Sequence, residues 1–189
     1  NGGDRLIARV RRNHPEIAIK PECGKNMIEF TTLPHTEVPD AMLQALYSLS
    51  AIAECAKQEG LLLYAAGTYP GAFTPELRSD RRYRAKEKIF GKQRFAIAGR
   101  VIGLHIHYSL PWGVFDTIEK VVKPVRRSKN SQSLLNIYNL CIALDPALTT
   151  FAQSSPFYQG RRLGKDARVM VYRGGPELDY PDGLYANFP

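Results

Sequence analysis

The sequence predicts an α+β fold, an antiparallel sheet with helices packed on one face. Extended and helical stretches follow one another without the strict strand–helix–strand alternation that a parallel sheet requires. The first two extended stretches, Ile17–Glu22 and Asn26–Thr32, are separated by little more than a turn at Gly24, which is hairpin spacing. At 189 residues the chain reads as one domain, 1–189, long enough to bury about 70% of its unfolded surface.

Each element has its own signal. Asp4 reads as the N-cap of a helix from Arg5 to about Asn13, with Leu6, Ile7 and Val10 on one side. After the hairpin, Asp40 reads as the cap of a helix from Ala41 to about Glu59, with Gly60 just past its end. Met42, Leu46, Leu49, Ala53 and Ala56 recur along it at helical spacing. Leu61–Ala66 reads as a short apolar strand ending in Gly67-Thr68-Tyr69-Pro70, and a Gly/Pro-punctuated loop runs on to Pro75. A charged helix is expected from Glu76 to about Phe90, then a strand from Ala98 to Leu110 and a turn at Pro111-Trp112-Gly113. Helices over about Val114–Val122 and Ser131–Phe151 follow, the second interrupted near Asp145-Pro146. Ser154–Lys165 reads as loop, Arg168–Tyr172 as a short strand and the remainder as a Gly/Pro-rich tail.

With 44% apolar and 23% charged residues, the composition is that of a folded globular protein. No stretch reads as the roughly 20 apolar residues of a membrane span, and nothing at the N-terminus resembles a signal peptide. Cys23, Cys55 and Cys141 are odd in number and widely spaced, which suits reduced thiols in a cytoplasmic protein. The net charge of +8 favours acidic partners, whether nucleotides, carboxylates or nucleic acid. Its basic clusters, at Arg9–Arg12, Arg78–Lys88, Arg126–Lys129 and Arg161–Arg168, read mainly as solvated surface.

Two of the four histidines fall in Gly103-Leu104-His105-Ile106-His107-Tyr108-Ser109. In the expected strand His105, His107 and Ser109 share one face, while Ile102, Leu104, Ile106, Tyr108 and Leu110 form an apolar stripe on the other. Neutral imidazole is a metal ligand and charged imidazole a phosphate donor. A half-buried strand with incidental imidazoles is the other reading. Glu22 and Glu29 lie on consecutive strands, so pairing can bring both carboxylates to one sheet face. Two carboxylates with an imidazole suit Mg²⁺ or Mn²⁺ in a nucleotide site; the surface reading puts Glu22 in a solvated turn and Glu29 on an open sheet face, and favours Glu22 more than Glu29. Arg81-Arg82-Tyr83 offers a guanidinium fork beside a stacking ring, or a stretch of charged helix surface. Ser155-Pro156-Phe157-Tyr158-Gln159-Gly160 can approach a ligand with its backbone, or pack Phe157 into a core. The sequence carries no Walker A loop, GxGxxG, zinc-spaced Cys/His set or nucleophile elbow, so any use of ATP rests on another architecture.

These pieces stand in a familiar order: Glu22 through Glu29-Phe30-Thr31-Thr32, Gly67-Thr68-Tyr69-Pro70, Arg82-Tyr83, Gly103–Ser109, then Ser155–Gly160. In that order the chain resembles the bacterial glutamate–cysteine ligase type 2 family, the carboxylate–amine ligases, over roughly Glu16 to Tyr172. The resemblance implies a glutamine synthetase-like catalytic fold, incomplete here at both ends. It implies transfer of the ATP γ-phosphate to the side-chain carboxylate of glutamate, then attack by an amine, cysteine foremost. Glu29 and His105, with Glu22, match positions expected to bind Mg²⁺ or Mn²⁺. His107 matches a catalytic position near the ATP phosphates, with Ser109 beside it. Arg82, expected to be catalytic, and Tyr83 match a pair placed near substrate. Family members also carry an earlier strand with closely spaced glutamates and later acidic ligands, and many have histidine where Tyr69 stands. Segments of the native protein are therefore expected outside 1–189. The implied partners are ATP, glutamate and the amine; a homo-oligomer is open, and neither a membrane nor nucleic acid is expected. A non-catalytic descendant that binds nucleotide or amino acid is the alternative. Nucleic-acid binding through the basic helices is a third reading and rests on charge alone.

Overall fold

The computed structural model describes residues 1–122, 129–175 and 183–184, and it divides into two units. Unit 1 comprises Asn1–Ile102 with Ser154–Pro189, and unit 2 comprises Gly103–Gln153. Arg126 and Arg127 of the basic clusters, and most of the C-terminal tail, lie outside the described residues.

Unit 1 opens with α1 (Gly2–Asn13), capped by Asn1 rather than Asp4. Asn1 Oδ1 accepts the Asp4 N–H at 2.9 Å, and Asn1 Nδ2 donates to Asp4 Oδ2 at 2.8 Å. This reciprocal pairing satisfies an otherwise orphaned donor and moves the helix start three residues upstream. Leu6, Ile7 and Val10 are buried, as their spacing predicts.

Strands β1 (Ala18–Pro21) and β2 (Ile28–Thr31) pair antiparallel, with Ile19 opposite Phe30 and Lys20 opposite Glu29. Alternation sends Ile19, Ile28 and Phe30 towards α1 and α2 (Val38–Gln58), so helices cover one face of the hairpin. Helix α2 starts before Asp40 because Pro39 is tolerated in a first turn, where its missing N–H is not needed. Its buried residues are Ser48, Ile52, Cys55 and Ala56. Of the expected stripe only Ala56 is buried, and Met42, Leu46 and Leu49 lie exposed. The helix carries two apolar stripes, and the one with Ile52 meets Leu6, Ile7, Val10, Ile17 and Ile19.

Leu61–Ala66 forms no strand, and Leu62 is fully exposed; only Thr68 bridges to Val101. Asp80 caps α3 (Arg81–Phe90), five residues later than expected, and α4 (Lys92–Phe95) leads into a 3₁₀ turn at Ala96–Gly99. Past unit 2 the chain returns as the hairpin β5 (Phe157–Tyr158) and β6 (Arg161–Arg162), in a stretch expected as loop. Then comes α6 (Ala167–Arg173), where a strand was expected: Asp166 Oδ1 accepts the N–H groups of Arg168 and Val169, nucleating a helix. A second apolar cluster joins Ile97 and Val101 to Tyr158, Leu163, Ala167, Val171 and Leu184.

The expected strand over Ala98–Leu110, whose residues run from unit 1 into unit 2, is absent: residues 102–110 pair with no described strand. The alternation is present in the residues, but without a partner ladder Leu104, Ile106 and Tyr108 stay exposed along with the polar face. The turn at Pro111-Trp112-Gly113 forms, with Gly113 at φ 82°. The expected helix over Val114–Val122 is a tight hairpin instead, β3 (Phe115–Asp116) and β4 (Val121–Val122). Asp116 Oδ1 accepts the N–H groups of Ile118 and Glu119, which fixes the turn. Helix α5 (Lys129–Phe151) runs through Pro146 without a break. Its Asn130–Phe151 stretch is long and apolar enough, by length and composition, to cross a membrane, which corrects the reading that no such stretch exists. It carries Asn136, Asn139 and Asp145 within the run.

The architecture among the described residues is thus α+β with three separate two-stranded antiparallel sheets, rather than one larger sheet.

Candidate functional site

The β1–β2 register decides what the first carboxylates can do. Lys20 and Glu29 share the face opposite the core, and Lys20 Nζ lies 3.1 Å from Glu29 Oε1. Glu22 follows the last residue of β1 and points a carboxylate at α3. Its Oε2 accepts the Cys23 N–H and the Tyr83 hydroxyl, the latter at 2.8 Å. The cap of α3 sets this up: Asp80 Oδ1 accepts the Arg82 N–H at 2.8 Å and its Nε–H at 3.3 Å, fixing the turn that carries Tyr83. The Arg82 guanidinium sits 5.3 Å from the Tyr83 ring centre, and the Phe95 ring packs at 6.4 Å.

Electrostatics follow the packing. Burial pushes the Tyr83 phenol above its ordinary range, and its hydrogen bond to the Glu22 carboxylate pushes the same way. Burial raises the Cys23 thiol to about 11, with the Glu22 charge adding to the rise and Lys86 opposing it. Hydrogen bonding to Asp80 raises Arg82, while the Arg82 N–H, then its side chain, lowers Asp80. Glu22, Arg82 and Tyr83 therefore form one connected group in unit 1, and Glu29 is engaged separately by Lys20.

Unit 2 carries His105, His107 and Ser109 on an exposed segment outside any helix or strand. The two imidazoles meet edge to face, ring centres 6.2 Å apart at 70°. Among the described residues, no three His, Cys, Asp or Glu side chains gather into a group able to hold a metal ion. Mg²⁺, however, is commonly bound through one or two carboxylates together with substrate phosphates and water, so the hard oxygens of Glu22 and Glu29 fit it by donor type.

Sequence reasoning missed how the two Gly/Pro motifs join. Thr68 is fully buried: its N–H donates to Ser155 Oγ at 2.9 Å and its hydroxyl to the Phe157 carbonyl at 2.7 Å. Tyr64 OH donates to the Thr68 carbonyl at 3.0 Å, and the Gly160 N–H donates to the Pro70 carbonyl at 2.7 Å. Gln159, in the left-handed region at φ 52°, accepts the Phe73 N–H at 3.2 Å. Arg100 ties both sides, donating to the Phe73 carbonyl at 3.2 Å and to Tyr158 OH at 3.4 Å. The available signal was a hydroxyl residue inside each of two Gly/Pro-bounded motifs, but nothing in the linear order pairs them.

The sequence pattern of glutamate–cysteine ligase family 2 matches residues 3–186. A relative from Roseiflexus sp. strain RS-1 is 26% identical over 173 residues, 90% of this chain and 37% of the relative. One from Chloroflexus aurantiacus is 27% identical over 172 residues, 89% of this chain and 39% of its own. One from Corynebacterium glutamicum strain R is 24% identical over 177 residues, 93% of this chain and 42% of its own. All three are provisionally named glutamate–cysteine ligase 2. The chain spans about two fifths of the length of these curated relatives. No solved structure matches it. The resemblance carried by the ordered motifs is thereby confirmed: with the family pattern running through all but the chain's extreme residues, the chain belongs to glutamate–cysteine ligase family 2.

Proposed function

We propose that this chain serves an ATP- and Mg²⁺-dependent ligase that joins glutamate to an amine, cysteine foremost, in the cytoplasm. The family match over residues 3–186 carries the reading. A glutamate γ-carboxylate oxygen attacks the γ-phosphorus of ATP and ADP leaves, giving an acyl phosphate. The amine nitrogen then attacks the acyl carbon, phosphate departs and the nitrogen loses a proton. The resemblance assigns Glu29, Glu22 and His105 to Mg²⁺ or Mn²⁺, which when bound offsets phosphate charge; in the structure Glu29 pairs with Lys20 and Glu22 with Tyr83. His107 with Ser109 would face the phosphates, and Arg82 with Tyr83 the substrate. The basic balance of the chain supports such anionic substrates.

The test is Mg²⁺-dependent ADP release with glutamate alone, then with a panel of amines including cysteine. Amine-stimulated release should drop on the order of 100-fold in His105→Ala and Glu29→Ala, the scale of losing a metal's charge stabilisation. Near-normal turnover in both variants would reject the metal assignment. Retained ATP binding with no release for any amine would favour a non-catalytic nucleotide- or amino-acid-binding protein.

A further inference from the structure

Arg168 stands second in α6, its backbone N–H held by Asp166. Its stem packs on bare backbone: a Cβ added at Gly67 would lie 3.2 Å from Arg168 Cβ and Cδ and 3.3 Å from Ser154 Oγ. Gly67 therefore lets an arginine and a serine approach the same backbone atom. The Arg168 guanidinium lies 5.0 Å from the ring centre of Tyr172. Its Nε is buried without a hydrogen-bond partner, and the guanidinium pairs with no described carboxylate. Arg78 also has an unpartnered buried Nε, but its Nη1 lies 2.7 Å from Asp4. Leaving a charged buried donor unmade is expensive, so the exception at Arg168 calls for an acceptor.

The neighbouring hydroxyls point the same way. Ser154 Oγ accepts the Gly67 N–H at 3.0 Å, Ser155 Oγ accepts the Thr68 N–H at 2.9 Å, and the two oxygens are 3.3 Å apart. One hydroxyl proton serves the contact between the serines, and the pair retains one O–H to donate. Ser154 is exposed, so a solute can reach it. A guanidinium with no ion pair to a described carboxylate and a nearby spare hydroxyl match a planar oxyanion.

We propose that Arg168 and Ser154 form a carboxylate subsite for the α-carboxylate of an amino-acid substrate. The choice of an amino acid rests on the ligase reading; the anion preference rests on the donors alone. The test is calorimetric titration of the whole chain with L-glutamate, L-cysteine and the α-carboxamide of each. The wild type should bind one or both amino acids about 10- to 100-fold more tightly than the matching amide, the scale of a charge-assisted bond. Arg168→Gln should weaken the acid to the level of the amide and leave the amide unchanged. Arg168→Lys, which keeps a cation beside Tyr172 but lacks the fork, should recover part of the difference and serves if the glutamine variant does not fold. Whichever amino acid responds is the one the subsite holds. Unchanged affinity in Arg168→Gln, equal loss for acid and amide, loss confined to ATP, or no amino-acid binding by the wild type would each overturn the subsite. ADP release decides the ligase reading separately: acid–amide discrimination without turnover leaves the subsite standing and rejects the ligase.

Discussion

Glu22 shows how one side chain organises its neighbours. It accepts from the Cys23 backbone and the Tyr83 hydroxyl, and its charge helps hold both acidic protons in place. With its thiol raised to about 11, Cys23 is ionised to only about 0.1% at pH 8, and it is buried besides. Iodoacetamide at pH 8 should therefore label the exposed Cys141 first and leave Cys23 intact, read by peptide mass mapping. Early labelling of Cys23 in the folded protein would contradict its environment. Thr68 is the other residue whose surroundings decide its role. Thr68→Val keeps the shape but strands the Phe157 carbonyl, so it should lower stability by about 1–3 kcal/mol in urea unfolding. A neutral result would mean that the junction of the two motifs tolerates the loss of its central hydroxyl.

Helices α1 and α2 illustrate what a linear pattern reveals and what it withholds. The α1 stripe was legible because Leu6, Ile7 and Val10 are the apolar side of a short, otherwise charged helix. In α2 the sequence offers two stripes, and only the packing against α1 and β1 selects the one holding Ile52. Ile52→Ala should cost about 2–5 kcal/mol, whereas Leu46→Ala on the exposed side should stay within about 0.5 kcal/mol. Equal effects would put the wrong face in the core. The hairpin was legible from its alternation and its short turn, whereas residues 102–110 alternate just as well and form no strand, because pairing depends on a partner rather than on pattern. For the candidate site, Glu22 and Tyr83 were named individually, but their contact is set by the Asp80 cap and lay beyond the linear order. The α1–α2 contact also carries a pH dependence. Glu59 takes a hydrogen bond from Arg9 and an ion pair from Arg5, and the Arg9 bond chiefly lowers its carboxyl. Asp4 is likewise lowered, chiefly by its hydrogen bond to Arg78. A depressed folded-state value gives stability that is present above the unfolded value and lost as pH falls through the folded one. Melting temperature should therefore drop as pH falls below about 4.5, the ordinary Glu range, and Glu59→Gln should flatten that drop while lowering stability near neutrality.

Across the whole molecule, burial is unevenly distributed. Unit 1 holds both apolar clusters, while Val114 is the only buried residue among the described residues of unit 2. Local opening is cheapest where few apolar contacts must break, so unit 2 should exchange amide hydrogens fastest and be cut first by protease. Unit 1 is discontinuous in sequence, and its second cluster is shared: Ile97 and Val101 come from the first segment, and Tyr158, Leu163, Ala167 and Val171 from the second. The Thr68–Ser155, Thr68–Phe157 and Gly160–Pro70 hydrogen bonds cross the same junction. Cleavage within 103–153 should therefore leave fragments close to 1–102 and 154–189 that elute together in native size exclusion and separate only in denaturant. Adding Thr68→Val should loosen that association, because it removes a bond between the fragments rather than within either. If the nicked fragments instead separate under native conditions, the shared cluster contributes too little to hold unit 1 together, and the covalent path through unit 2 is what keeps the two motifs in register.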